Sequence, residues 1–189
     1  MRLSLEDRQR IHAAVAAAES KTSAHLAVTI VPVSDRYALY PLLWGAATAL
    51  LAGALLALLR PEISLRMAMI AEATIFAAVA LALEPYAIRL FAVPRGVRRE
   101  KARALAQREF AARILAPGHE GILVFASLAE RHVELLATAG LHKAVGETEW
   151  RMIASRFSAA AAEGRIADAA IQAAQDCARH LTAHMPAAR

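Results

Sequence analysis

From Tyr37 to Leu59 the chain runs for 23 residues without one charged side chain. As a helix this stretch is about 35 Å long, enough to cross a hydrocarbon core of about 30 Å. Tyr37, Tyr40 and Trp44 cluster at its start, where an aromatic belt sits at a membrane surface. Gly45, Gly53 and several alanines leave small surfaces for a neighbouring helix. Arg60-Pro61-Glu62 ends the run, because proline disfavours continuation and the charges prefer water.

A second apolar stretch follows, roughly from Ile63 to Leu83, with residues 85–94 read as an interfacial segment. The whole insertion, residues 37–94, is expected to be a two-helix membrane hairpin with spans near 37–59 and 63–84. Glu72 is the polar residue inside the second span. It is expected either to serve a function at mid-membrane, or to be protonated or face the first helix near Thr48. Arg95, Arg98, Arg99, Lys101, Arg103 and Arg108 follow directly, and they outweigh Arg60 and Arg66 in the short loop. That bias predicts two spans with both termini cytoplasmic, and basic side chains resting on anionic lipid headgroups.

Outside the hairpin, residues 1–36 and 95–189 supply about 130 residues, close to the commonest domain size. Ser4 followed by Asp7 looks like a capping-box variant ahead of a helix over residues 5–19. Residues 24–33 read as a strand with Leu26, Val28 and Ile30 on one face, and residues 97–115 as a basic helix broken by Pro117-Gly118. Gly121–Ser127 is a continuous apolar strand of the kind buried on both faces. Leu128–Arg131 makes a tight turn into a partly alternating strand, His132–Thr138. Two helices near 148–162 and 166–182 finish the chain. Helices before and after the strands predict a layered α/β sandwich, with the N-terminal strand joining the hairpin in one sheet.

The polar inventory excludes several functions. The net charge of +5 is concentrated after the apolar block, and no groove-reading motif or interleaved aromatics accompany it, so nucleic acid is not expected as a partner. Cys177 is the only cysteine, which rules out an intramolecular disulfide and a thiolate metal cluster. It is expected to be a small core residue. The polar start of the chain lacks the apolar run that export requires. No P-loop, dinucleotide fingerprint, nucleophile elbow or H-E-x-x-H is present. His180 and His184 share a helix face without a following glutamate and read as a solvated helix end. His132 and His142 flank the second hairpin strand and meet near Glu130 only if the loop folds back.

The run Gly121-Ile-Leu-Val-Phe-Ala-Ser-Leu-Ala-Glu-Arg-His-Val-Glu-Leu-Leu-Ala-Thr-Ala-Gly-Leu-His142 resembles the TPM domain family. The order of Phe157, Gly164, Ala167 and Ile171 is similar to that family's C-terminal helices, and residues 1–33 to its opening helix and strand. The resemblance implies a Rossmann-like α/β/α sandwich and, with the hairpin, a branch of bacterial plasma-membrane proteins. It also implies a divalent cation, calcium or magnesium, and in some members phosphatase activity. The turn acid then corresponds to Glu130 and the helix-start acid to Glu147. Where the family carries a Gly-aromatic-Gly-Leu-Glu segment this chain has Thr138-Ala-Gly-Leu-His142, placing an imidazole where a carboxylate stood. A hard cation prefers oxygen ligands, so His142 and His132 make a poorer set.

Three functions follow as expectations. The first is a non-catalytic module that binds a membrane or cytoplasmic protein. The second is a metal-dependent phosphatase or other hydrolase using Glu130 and Glu147. The third is a small transport or channel subunit, a homo-oligomer because two helices cannot enclose a path alone.

Overall fold

The computed structural model describes residues 3–115 and 120–186. The expected break at Pro117-Gly118 lies outside the described residues. The protein is mixed α/β and mostly helical, and it divides into two compact units. Unit 1 comprises residues 1–34 and 99–189, and unit 2 residues 35–98.

Unit 1 is organised by a three-stranded sheet in the order β1 (His25–Val31), β2 (Gly121–Ser127), β3 (His132–Ala137). The N-terminal strand joins the hairpin as expected. β1 and β2 run parallel, with His25 opposite Gly121, while β2 and β3 are antiparallel, with Phe125 opposite Glu134. Every residue of β2 is buried. Its alternate side chains enter two different apolar clusters. Ile122, Val124 and Ala126 join Leu26, Leu141, Trp150, Ile153 and Phe157. Leu123 and Phe125 join Ala106 and Ile114. A strand covered on both faces has no reason to alternate, which explains its unbroken apolar sequence.

Helix α1 (Leu5–Glu19) opens on a complete capping box. Ser4 Oγ accepts from Asp7 N–H at 3.0 Å, and Asp7 Oδ2 accepts from Ser4 N–H at 3.3 Å. Helix α5 (Arg95–Arg113) crosses the boundary between the units and turns Ala102 and Ala106 inward. Helix α7 (Glu147–Ala162) contributes Trp150, Ile153 and Phe157, and α8 (Ile166–His184) contributes a stripe of alanines around Cys177. Between β3 and α7 lies a short helix, α6 (Ala139–Val145), which the sequence pattern did not announce. Leu141 at its centre is 1% exposed, and Gly146 at φ 92° ends it in a conformation open to glycine.

Unit 2 holds α2 (Leu39–Leu59), α3 (Leu65–Ala82) and α4 (Tyr86–Ala92). The first two are long and apolar enough to cross a membrane, with mean hydropathy 2.2 and 1.7. They pack on each other through small residues. Gly45 and Ala49 are buried, and a Cβ on Gly45 would stand 3.1 Å from both the ring and the carbonyl oxygen of Phe76. The interfacial segment expected at 85–94 is largely the helix α4, held from within. Arg89, only 12% exposed, donates to the carbonyls of Leu83 (3.4 Å), Glu84 (2.6 Å) and Arg36 (3.0 Å) and pairs with the Glu84 carboxylate (2.6 Å). Trp44 Nε1 donates to Ala92 O at 3.0 Å.

Candidate functional site

The turn after β2 gathers a polar cluster of unit 1. Leu128 and Ala129 donate to the carbonyls of Val31 and Pro32 at 3.0 and 3.1 Å, which extends the β1–β2 ladder past the strand ends. Ser34 is thereby carried beside the turn. Its hydroxyl donates to Ser127 Oγ at 2.7 Å, and Ser127 in turn donates to the Glu130 carboxylate. The Ser34 N–H donates to the other Glu130 oxygen at 3.1 Å. Both carboxylate oxygens thus already accept a donor from the protein, and Ser127 is 2% exposed. A carboxylate so placed ties the β2–β3 turn to the end of β1. Removing such a partner costs about 1–3 kcal/mol through the donors left behind.

The other expected metal ligands lie apart. His132 Nε2 is 3.0 Å from Glu134 Oε2, and the second Glu134 oxygen lies 3.5 Å from Arg103 Nε. His142 sits on α6, beyond the opposite end of β3 from Glu130 and His132. A strand of this length spans about 20 Å, so the two histidines do not meet near Glu130. Glu147 is the first residue of α7, its side chain 63% exposed and paired with Arg151 at 3.3 Å. Neither it nor Thr148 caps that helix with its side chain; Gly146 holds the cap position. Among the described residues, no group of three or more His, Cys, Asp or Glu side chains is placed to hold a metal.

The basic run begins α5. Arg95, Arg99, Lys101 and Arg103 are exposed and Arg98 is half-buried, while Ala102 and Ala106 take the inward positions. The exposed cations therefore share the helix with an apolar inner stripe.

Glu72 faces the first span as expected, but against Gly53 rather than Thr48. A Cβ on Gly53 would overlap the Glu72 carboxyl group, so the missing side chain is what makes room for it. The Thr48 hydroxyl instead donates to the Trp44 carbonyl one turn back, at 2.7 Å.

Asp176 escaped the sequence reading. It is 7% exposed on α8, pairs with Arg156 of α7 at 3.3 Å and with Arg179, and borders an 810 Å³ groove floored by Ala14, Ala17, Ala18 and Ala178. The available signal was its position, three residues after Ala173 on the apolar stripe with Arg179 following three later. Burial, with the Asp176 charge alongside, pushes the Cys177 thiol up to about 12 and keeps it protonated and unreactive. His184 is exposed at the end of α8, as expected, whereas His180 is half-buried. The His180 ring meets Trp150 edge-on at 5.8 Å and lies 3.8 Å from Glu149.

No protein-family model matches the chain, and no curated protein matches it. A solved structure does. The chain is similar in fold to the BA42 protein of the psychrophilic bacterium Bizionia argentinensis, known by NMR, with a TM-score of 0.54. The two are 10% identical over 98% of this chain and 86% of BA42, so the likeness concerns the fold alone.

Proposed function

We propose that this is a bacterial plasma-membrane protein whose α2–α3 hairpin crosses the bilayer and whose unit 1 is a cytoplasmic, non-catalytic module of the TPM type that binds another protein. The carrying observation is the outward face of the two apolar helices. Leu43, Leu50, Leu51 and Leu58 of α2 are 60–78% exposed, and no residue of α3 is buried. An apolar surface of that extent is costly in water and neutral in hydrocarbon. The layered α/β/α reading of unit 1 is supported by the two apolar clusters that receive alternate residues of β2. The basic start of α5 rests on anionic headgroups in this reading, which sets both termini on the cytoplasmic side.

The occupied Glu130 carboxylate supports binding over catalysis. A metal-dependent phosphatase needs Glu130 and Glu147 to share a cation, and turnover of a phosphoester that a chelator abolishes would revive that alternative.

The test is extraction and topology on the full chain. The protein is expected to stay with membranes through alkaline carbonate washing. A cysteine introduced at Ser64 should react with an impermeant thiol reagent only from the outer side. Release by carbonate, or labelling from the cytoplasmic side, overturns the reading. Crosslinking in intact cells should then give one recurrent protein adduct on unit 1.

A further inference from the structure

Glu72 is the eighth residue of α3, about 10 Å along the helix from Leu65, and Gly53 lies about 9 Å from the same end of α2. The carboxyl group therefore sits well inside the apolar length of the hairpin, half-buried in the notch that Gly53 leaves. Among the described residues no hydrogen bond or ion pair reaches it. The polar neighbours within the spans are spent on their own helices: Thr48 donates to Trp44 O and Thr74 to Ile70 O, both at 2.7 Å. Arg66 stands at the start of α3, six residues before Glu72 and so on another face of the helix. Arg89 is fully engaged by the carbonyls of Leu83, Glu84 and Arg36 and by the Glu84 carboxylate. No other charged residue lies within α2 or α3.

A carboxyl group in hydrocarbon without a partner is strongly unfavourable, and a donor from outside the hairpin removes the penalty. We infer that the Glu72 notch is a docking point for a transmembrane helix of a different protein, one carrying a lysine or arginine about 10 Å from the outer end of its span. Charge complementarity selects that occupant. A second copy of this chain brings another Glu72 to the same depth and no cation. Gly53 and its alanine neighbours make the seam shallow, so a long basic side chain reaches the carboxyl across it. The inference rests on the membrane-spanning reading and gives the binding module an anchor inside the bilayer.

The test uses the full chain in vesicles of mixed phosphatidylcholine and phosphatidylglycerol, donor-labelled at its N-terminus. Acceptor-labelled synthetic helices of about 20 leucines carry either one lysine about 10 Å from the outer end or leucine throughout. Energy transfer to the lysine helix should be saturable and about tenfold tighter than to the all-leucine helix. It should fall to the all-leucine level in Glu72→Gln. The Glu72→Lys chain should instead prefer a helix bearing aspartate at that depth. Equal transfer to both helices, none to either, or selectivity that survives Glu72→Gln overturns the inference. So does transfer between two labelled copies that Glu72→Gln abolishes, which would assign the notch to self-association. If the chain fails to insert at all, as judged by carbonate release from the same vesicles, the membrane reading itself has failed.

Discussion

Helices α8 and α2 both turn small residues inward, yet their outer faces differ. On α8 the small residues Ala169, Ala170, Ala173, Ala174 and Cys177 are buried, and Gln172, Gln175 and Arg179 face outward. On α2 Gly45 and Ala49 are again inside, but the outer face is Leu50, Leu51, Leu55 and Leu58. Close approach of helix axes calls for small residues in both seams. The outward residues record the solvent: amide and guanidinium in water, isobutyl groups where no water is expected.

The largest effect falls on the water-facing unit. Phe125→Ala empties a site that is 0% exposed and should cost unit 1 about 3–5 kcal/mol, read by urea unfolding of the full chain in detergent. Substitutions on the outer faces separate the two helices directly. Leu55→Arg should lower membrane insertion by about 3 kcal/mol, measured as the inserted fraction in a translocation assay, whereas Gln175→Arg should leave both insertion and stability within about 0.5 kcal/mol. Equal responses would erase the contrast between the helices. The seams give a finer effect. Gly45→Ala meets the Phe76 carbonyl oxygen, which cannot swing aside, and should loosen the hairpin by about 1–2 kcal/mol in a detergent-titration assay. Gly53→Ala meets only the end of the flexible Glu72 side chain and should cost less.

A last effect, confined to alkaline pH, concerns Cys177. Its folded thiol titrates near 12, above the ordinary thiol range, so its contribution to stability is complete below that range. As pH rises the unfolded chain ionises first, and stability should decline from the ordinary thiol range towards pH 12. Cys177→Ala should remove that part of the slope in unfolding curves measured across alkaline pH.

The strongest patterns were legible beforehand because each has one physical cause. An unbroken apolar strand requires two covered faces, and a chargeless run the length of a bilayer requires a helix that tolerates exposure of leucine. Ser4 and Asp7 carry their cap in their spacing. What stayed hidden depends on three-dimensional convergence. Thr138–His142 offers no period longer than two turns, so α6 became visible only through the burial of Leu141. The separation of His142 from Glu130 follows from strand direction rather than composition. Asp176 sits in an alanine-rich helix that reads the same whether a neighbour covers it or not. Glu72 meets Gly53 of the facing helix, five residues beyond Thr48, because a glycine notch is a property of the facing helix, not of the residue it receives.

The pairing of His25 with Gly121 also sets a clock on biosynthesis. β1 leaves the ribosome before the whole of unit 2 and α5, and its partner strand follows only after them. At about 5–20 residues per second that interval lasts roughly 5–20 s. Throughout it Leu26, Val28 and Ile30 have no sheet to join, while the two apolar helices that follow them in the chain are being made. Assembly of the domain therefore waits on translation, and the nascent first strand is the segment a chaperone has the longest time to find.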